Sequence, residues 1–291
     1  MDSPTEQDAR SSLHRAFQLL ETFTPEQPDM SVRELARRSG IPRSTTHRIA
    51  QELLDWGALE RTPGGLRLGV KLFELGTRAP SPTTLREAAT TYLHTLNEVT
   101  GLTANLAILE GAEIVYVDKI ATATLRVPHS RLGGRVPAHA TGLGKAILAF
   151  SPRDVVDQVI AAGLPAVTAH TITDGEALRV QLHGIRRERH AFDVEESREG
   201  LFCVAAPVFG GGEVALGAVS VTGATALSQA TRFAPVVMAT ARSITDRLSR
   251  SRYTDPVATG VRVGHHREAT PRESGRTPGP RIQLPSTKEH P

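Results

Sequence analysis

Apolar residues recur at helical spacing in two short segments near the start of the chain. Leu13, Phe17 and Leu20 lie on one face of a helix that we predict within residues 11–23. A second helix is predicted in SVRELARRSG, residues 31–40, because its serine stands three residues before a glutamate as in a capping box and its final glycine suits a helix end. The chain therefore begins with two short helices joined by a proline-containing connection.

The next segment, SGIPRSTTHRIAQELLDWG at residues 39–57, carries two helical stripes of opposite character. One stripe is apolar and is expected to face the core: Thr46, Ile49, Ala50, Leu53 and Leu54. The other is polar and is expected to face outward: Ser44, His47, Arg48 and Gln51. Pro42 suits a first helical turn, whose N–H groups lack helical partners. With the turn around Gly40, the second and third helices form a predicted helix-turn-helix.

A small hairpin and a further helix follow. The segment ALERTPGGLRLGV after Gly57 predicts two short strands around a Pro-Gly-Gly turn, which is the layout of a winged helix. Residues 70–78 have helical spacing, and the two prolines of APSPTT then indicate a domain boundary. We therefore predict a winged helix-turn-helix domain with a linker helix over residues 11–78.

Helical patterns and β-rich runs alternate over residues 79–250. An amphipathic helix at 85–100 is followed by LTANLAIL and IVYVDKI, which predict a hairpin, and then by a loop. Three further helices are predicted, with Ser151 and Thr173 as N-caps of the last two. LFCVAAPVF and VALGAVSVTG read as strands, and a last helix closes the domain. This order predicts an α+β fold, with helices packed against an antiparallel sheet.

The two ends of the chain lack this periodicity. Residues 1–10 and 251–291 are rich in polar and charged residues, and we predict that both are disordered. The N-terminus has no basic and then apolar segment of the kind found in signal peptides, and no apolar run approaches the ~18 residues of a membrane span. The single cysteine, Cys203, cannot form an internal disulfide. These features predict a cytoplasmic protein without membrane contact.

Length and charge add a little to this interpretation. A chain of 291 residues suits two domains of ~150 residues each. Its formal net charge of +3 is small, but residues 10–78 hold 11 basic and 8 acidic residues whereas residues 79–250 are balanced. So modest an excess predicts weak DNA binding by one copy, and a dimer that reads two half-sites would compensate.

The polar stripe of the third helix is typical either of a solvated surface or of a DNA-recognition helix. Its side chains are short or forked hydrogen-bonding groups rather than the Glu/Lys pairs of a solvated helix, so we favour an interface with double-stranded operator DNA. Reach and bidentate geometry assign base edges to Arg48 and Gln51, with Thr45 and His47 as neighbours. Phosphate contacts are assigned to Arg37, Arg38, Arg43 and Ser44 and, in the hairpin, to Arg61 and Arg67.

Six blocks of sequence resemble the IclR family of bacterial transcriptional regulators over residues 11–248. They are SLHRAFQLLETF, SVRELARRSGIPRSTTHRIAQELLDWGALER, LRLGVKLFELG, VPAHATGLGKAILAF, DVEESREGLFCVAAPVF and GAVSVTG. The resemblance implies an N-terminal winged helix-turn-helix, a linker helix and a C-terminal GAF-like domain that binds a small metabolite, assembled as a dimer or a dimer of dimers. It also implies a repressor more often than an activator. Leu66 departs from the family, which usually has tyrosine there.

The resemblance further implies a pocket for a small organic or aromatic acid. The residues that align with the family's pocket are Gly142, Leu143, Asp193, Leu201, Cys203, Ser220 and Thr222. The glycine-containing turn ATGLG before a helix offers N–H groups to an anion. Ser220 and Thr222, two apart on one strand, face the same side, and Cys203 alternates with Leu201 on another. Each residue taken singly also suits an ordinary protein core.

Three arginines, Arg126, Arg131 and Arg135, precede this turn and could meet an anionic effector, although solvated loop charges are the stronger expectation. A further alternative is a second domain that only dimerises and takes no effector. A polar, well-formed cavity around Gly142, Asp193 and Ser220 would favour the effector, and a pocket filled by side chains would favour the dimerisation domain.

Enzyme chemistry is disfavoured by the residues themselves. GLGK is not a P-loop, because His139 and Ala146 stand where that motif needs glycine and a hydroxyl residue. A Cys–His hydrolase would use Cys203 with His139 or His190, but this cysteine lies within a predicted strand instead of at an activating turn. Without HExxH or CxxC spacing, we predict no metal and no cofactor.

Overall fold

The computed structural model describes residues 11–122, 130–224 and 230–250. The ends predicted to be disordered, and Arg126, lie outside the described residues. Helices and a two-stranded hairpin make up the N-terminal domain, and a six-stranded sheet with helices makes up the second domain. The predicted α+β class is confirmed.

Three helices form the body of the N-terminal domain: α1 (Ser12–Leu20), α2 (Val32–Ser39) and α3 (Arg43–Asp55). Ser31 caps α2 as predicted, because its hydroxyl accepts a hydrogen bond from the Glu34 amide at 3.2 Å. The second half of the capping box does not form, since the Glu34 carboxylate pairs with two arginines instead. Gly40 ends α2 in the left-handed conformation, at φ 70°, and Pro42 is the N-cap of α3.

The wing is the antiparallel pair β1 (Leu59–Thr62) and β2 (Gly65–Leu68). Met30, just before α2, joins it through two backbone hydrogen bonds of 2.9 Å with Leu66. Leu66 is buried in the core of this domain, so the leucine at the family's tyrosine position packs well.

A linker helix, α4 (Val70–Gly76), is followed closely by α5 (Pro80–Thr100). The predicted interruption at APSPTT is therefore limited to residues 77–79, and the helix expected from residue 85 starts at Pro80. Proline is tolerated in a first helical turn because the N–H groups of that turn have no helical acceptors. Proline is common both at helix starts and at helix breaks, which is why the sequence alone did not distinguish the two at this position.

The second domain is built on one antiparallel sheet with the strand order β5-β4-β3-β8-β7-β6. Its strands are β3 (Thr103–Glu110), β4 (Glu113–Ile120), β5 (Arg135–Pro137), β6 (Ala191–Val194), β7 (Phe202–Phe209) and β8 (Ala215–Gly223). The four long strands were predicted. The two short edge strands, β5 and β6, were not, because three or four residues are too few to display an alternating pattern.

Helices cover both faces of this sheet. The long α5 and α9 (Ala234–Arg250) pack on one face, while α6 (Gly142–Leu148), α7 (Arg153–Ala161) and α8 (Gly175–Glu188) lie on the other. Both predicted N-caps are wrong by one residue. Pro152 is the N-cap of α7, and the hydroxyl of Ser151 donates to the Ile147 carbonyl instead. Asp174, next to Thr173, caps α8 by accepting from the Ala177 amide at 2.8 Å.

Strand β4 presents adjacent residues to opposite faces of the sheet. Asp118 is buried on the α5 side, where it accepts a hydrogen bond from the Thr90 hydroxyl at 2.9 Å and lies 3.7 Å from Arg86. Lys119 points to the other face, which carries α6. Consecutive residues of β4 therefore point toward the two helical layers on opposite faces of the sheet.

Candidate DNA interface and effector cavity

The polar stripe of α3 lies on the protein surface. All ten residues predicted to contact DNA are exposed except Thr45, which is half-buried: Arg37, Arg38, Arg43, Ser44, Thr45, His47, Arg48, Gln51, Arg61 and Arg67. Arg61 on β1 donates to the side-chain oxygen of Gln51 on α3 at 3.3 Å. Polar side chains of α3 and the wing are therefore in contact at the surface.

The side chains predicted to read bases already bond to acidic side chains in the free chain. Arg48 forms an ion pair with Glu52 at 2.6 Å, and Gln51 donates to Asp55 at 2.7 Å, each partner lying four residues further along α3. The expectation that this helix lacks acid pairs was therefore wrong. These pairs are exposed, so exchanging the carboxylate for a DNA group costs little free energy.

The predicted phosphate-binding arginines are held in the same way. Arg37 and Arg38 share the Glu34 carboxylate, and their hydrogen bonds lower the pKa of Glu34 to about 2. On the wing, Arg67 pairs with Glu60. In the free chain these arginines are therefore exposed and paired with acidic side chains.

The second predicted site gathers on the sheet face covered by α6. Asp193, Cys203 and Thr222 are direct cross-strand neighbours on β6, β7 and β8. Together with Leu143 and Leu201 they line a small enclosed cavity. Ser220, two residues before Thr222 on β8, is also buried. All of the aligned residues therefore come together in this part of the domain.

Gly142 lies in close contact with the sheet. A Cβ at position 142 would lie 3.2 Å from the Cys203 sulfur and 3.4 Å from the Asp193 amide, so glycine lets α6 approach the sheet closely. The predicted supply of N–H groups is smaller than expected, because the Thr141 hydroxyl accepts from the Gly144 amide at 2.9 Å.

Asp193 is the carboxylic acid of the cavity wall. Its carboxylate accepts hydrogen bonds from the Glu196 amide at 2.8 Å and from the Ser197 amide and hydroxyl at 3.2 and 2.6 Å. Burial outweighs these bonds and raises the pKa of Asp193 from 3.8 to about 6. Near neutral pH this group can therefore exchange a proton when its surroundings change.

A buried ion pair that sequence reasoning missed supports the cavity. Lys145 on α6 is 0% exposed and its ammonium pairs with Glu196, whose second carboxylate oxygen has no hydrogen-bond donor among the described residues. Thr171 holds the segment by donating to the Glu196 carbonyl at 2.7 Å. The signal in the sequence was one lysine within the apolar run GLGKAILAF, but only the fold shows its partner 51 residues away.

Further polar residues near the cavity were not predicted, among them Asn105, Tyr116, Lys119, Ser130 and Ser197. Lys119 donates to the Ser130 hydroxyl at 2.8 Å, and Asn105 donates to Thr222 at 3.2 Å. Most of them come from strands and a loop outside the blocks that resemble the family, and Ser197 lies inside such a block but was not among the aligned pocket residues.

Cys203 has the properties of a buried structural thiol. Burial raises its pKa to about 12, an effect that the nearby hydroxyls of Ser220 and Thr222 offset only in part. Burial also lowers the pKa of His139, whose Nε2 lies 3.1 Å from the Pro165 carbonyl, while His190 contacts the Glu188 carbonyl. A thiol that stays protonated is a poor nucleophile, which weakens the hydrolase interpretation.

The enclosed cavity is small, about 10 Å³, which is enough for roughly one water molecule. A larger, open groove of about 360 Å³ lies between α7 and α8 and shares no lining residue with it. We assign the candidate effector site to the smaller cavity because its walls contain buried polar groups, whereas open surface grooves are common on proteins. An organic acid can enter only if the wall moves.

Two of the arginines considered for an anion are on the surface. Arg131 is exposed, and Arg135 lies 3.3 Å from Glu113, consistent with solvated charges. Within the described residues, no group of three or more His, Cys, Asp or Glu side chains is arranged to hold a metal ion. No helix in the described ranges is both long and apolar enough to cross a membrane.

Family comparisons agree with both halves of the chain. The model of the IclR helix-turn-helix domain matches residues 12–63, and the model of the bacterial transcriptional regulator IclR C-terminal domain matches residues 78–249. The first matched segment spans α1 to β1, and the second spans the sheet domain with its helices.

Curated relatives are transcriptional regulators. The HTH-type transcriptional regulator XynR of Escherichia coli is 32% identical over 201 residues, which are 68% of this chain and 80% of that protein. The transcriptional repressor IclR of Escherichia coli is 30% identical over 242 residues, which are 80% of this chain and 88% of that protein.

Solved structures share the fold. A crystal structure of an IclR homolog from Microbacterium hydrocarbonoxydans, complexed with 4-hydroxybenzoate, has a TM-score of 0.76 and 28% identity over 82% of this chain and 100% of that one. The Thermotoga maritima IclR structure has a TM-score of 0.69 and 28% identity over 82% and 98%. The chain belongs to the IclR family of bacterial transcriptional regulators.

Proposed function

We propose that this regulator is a repressor that binds an operator as a dimer and responds to a small organic acid in the second domain. The observation that carries the proposal is the presence, in one chain, of an exposed hydrogen-bonding face on α3 and a buried polar cavity behind α6. Two relatives support its parts: one is named a repressor, and another was crystallised with 4-hydroxybenzoate.

DNA binding rests on the surface shared by α3 and the wing. Arg48 can replace its exposed Glu52 partner with a base edge, and Gln51 can replace Asp55 in the same way. Arginines at the end of α2 and on the wing can take phosphates, which fixes the register of the helix in the groove.

Arg48→Ala tests this interface. We expect the variant to bind DNA from the upstream region of its own gene more weakly by roughly 1–3 kcal/mol, while binding to scrambled DNA changes much less, because a base contact is lost. The measurement is a fluorescence-anisotropy titration of both duplexes at two salt concentrations. Arg187→Ala on α8, an exposed arginine of the other domain, is the matched control.

An equal loss of affinity for both duplexes would indicate that Arg48 contacts a phosphate group and not a base. Unchanged affinity for both would remove it from the interface.

Effector binding rests on the polar groups around the enclosed cavity. Asp193, Cys203 and Thr222 form a continuous row across three strands, next to the tightly packed start of α6. The cavity of about 10 Å³ represents the effector-free state in this proposal. Binding of an acid then requires the segment after β6 to move, and that movement provides the conformational signal.

The small cavity also supports a second candidate, a domain that only dimerises. The two candidates are separated by titrating a panel of aromatic and short organic acids into the protein alone and into its operator complex. An acid that binds and shifts operator affinity supports the effector role. Operator binding that no acid changes, with no heat of binding in calorimetry, supports the dimerisation domain.

Dimer formation is supported by exposed apolar side chains in the N-terminal domain. Phe17 on α1 and Phe73 on α4 are 57% and 68% exposed. Apolar faces of this kind are usually covered by a partner, and here we propose a second copy of the chain.

A further inference from the structure

The open groove between α7 and α8 has the size of a binding site for a small molecule. Its volume is about 360 Å³, and sites for small ligands in proteins span about 300–1,000 Å³. Its floor is apolar and consists of buried side chains from three helices: Leu148, Val156 and Leu182. The groove can therefore accept the organic part of a ligand without any movement of the chain.

Every charged or titratable residue that lines this groove is basic. Arg153 begins α7, and Arg179, His183 and Arg186 lie on α8. Residues 79–250 as a whole hold equal numbers of basic and acidic residues, so this grouping does not follow from a generally basic domain. A groove with walls of one charge attracts a ligand of the opposite charge.

Acidic side chains neutralise only one of the three arginines. Arg179 pairs with Asp157 at 2.7 Å and lies 3.3 Å from Glu176. Neither Arg153 nor Arg186 forms an ion pair or a side-chain hydrogen bond with any residue in the described ranges. Two guanidinium groups at the groove thus keep their charge and their N–H donors.

An aromatic ring orients Arg186 where a carboxylate could have done so. Its guanidinium lies 5.8 Å from the centroid of Phe150, which is buried. A contact with a ring face holds the guanidinium but does not neutralise it and leaves its N–H groups available. On the facing helix, Asp154 follows Arg153 in the chain but does not line the groove. The groove is therefore prepared for an anion that arrives from solution.

We infer that this groove binds a phosphate monoester, with its phosphate group on Arg153 and Arg186 and its organic part on the apolar floor. A phosphate monoester carries up to two negative charges near neutral pH and several acceptor oxygens, which match two arginines better than one carboxylate does. The inference is independent of the proposed function because it concerns a separate site. It adds a second ligand to the same domain, and α6 contributes residues to both sites.

The test is calorimetric binding of phosphorylated and uncharged probes to the full chain in a phosphate-free buffer of low salt. The probes are AMP and glycerol phosphate, each compared with adenosine or glycerol, and inorganic phosphate. We expect at least one ester to bind more tightly than inorganic phosphate, and its unphosphorylated form not to bind measurably. Arg153→Gln and Arg186→Gln should each lower the affinity for that ester roughly tenfold. Arg187→Gln should not, because Arg187 lies on the same helix but outside the groove, near Glu188.

The other outcomes overturn the inference. If neither ester binds the wild type, the ligand class is wrong. Equal affinity for inorganic phosphate and for the esters would mean an adventitious ion only, and an ester affinity that both arginine variants retain would place its site elsewhere. Loss of DNA affinity in these variants without ester binding would make the groove a nucleic-acid surface. Should Arg186→Gln fail to fold by circular dichroism, Arg153→Gln decides the result.

Discussion

Asp193 holds its carboxyl group where ionisation is unfavourable. Burial raises the pKa to about 6 from 3.8, although three hydrogen bonds from Glu196 and Ser197 favour the charged form. Between these two pH values the folded chain retains a proton that the unfolded chain has released. The free energy of unfolding contributed by this group is therefore fully present below pH 3.8 and decreases as the pH rises through about 6.

Asp193→Asn should remove this dependence. We expect the wild type to lose about 3 kcal/mol of stability from this group between pH 4 and pH 7, while the asparagine, which can keep the bonds to the amides, does not titrate. The measurement is the thermal unfolding of both proteins across this range. The difference in transition temperature, variant minus wild type, should grow with pH. A constant difference would mean that Asp193 is ionised throughout.

Single residues also show the limit of sequence reasoning. Gly142, Asp193 and Cys203 could be selected by resemblance, and the strand pattern placed Ser220 and Thr222 on one side. Lys119 and Asn105 could not be selected, because their position near the cavity depends on cross-strand register between β4 and β3 and on contacts with a distant loop. Register is set by tertiary packing, which no local pattern contains.

At the scale of the element, α3 shows what a pattern can and cannot establish. Its two stripes predicted correctly which side is buried, since apolar spacing alone decides this. The same stripes did not show that Arg48 is paired with Glu52 in the free protein, because an acid four residues later is compatible with many rotamers. The carboxylate competes with DNA for the arginine.

Glu52→Gln should therefore strengthen DNA binding. The substitution releases Arg48 and removes a negative charge beside the phosphates, and we expect roughly a twofold to tenfold gain at low salt that shrinks as salt rises. Anisotropy titrations at two ionic strengths would measure it, with Glu87→Gln, an exposed position of α5, as the control. Weaker binding confined to the operator would instead identify Glu52 as a base contact.

The short elements show the same limit in another form. Strands β5 and β6 were missed, and both N-caps of α7 and α8 were misplaced by one residue. Ser151 and Pro152 are both acceptable at the start of a helix, and the choice between them follows from how α6 ends and packs. Longer segments such as α5 and β7 carried enough residues to be predicted.

On the scale of the whole molecule, the N-terminal domain leaves an apolar surface open. Phe17, Phe73 and Val70 are all more than half exposed in the single chain. The net positive charge of one DNA-binding domain is small, so operator binding is stronger when two copies bind adjacent half-sites.

Phe73→Glu should disrupt the proposed dimer. A charge placed on this surface must be desolvated when two copies meet, so we expect a monomer in sedimentation velocity at micromolar concentration and weaker operator binding. Val180→Glu on α8, where the valine is 74% exposed, controls for adding a charge to an exposed apolar position. A dimer that persists in both variants would place the interface elsewhere, and a monomeric wild type would remove the dimer from the proposal.

Strand β4 links the cavity on one face of the sheet to α5 on the other face. Lys119 points toward the cavity, and the adjacent Asp118 accepts a hydrogen bond from Thr90 and lies near Arg86 on α5. Only residues 77–79 separate α5 from the linker helix of the DNA-binding domain. A displacement of β4 at the cavity would therefore also displace the carboxylate that contacts α5 on the opposite face of the sheet.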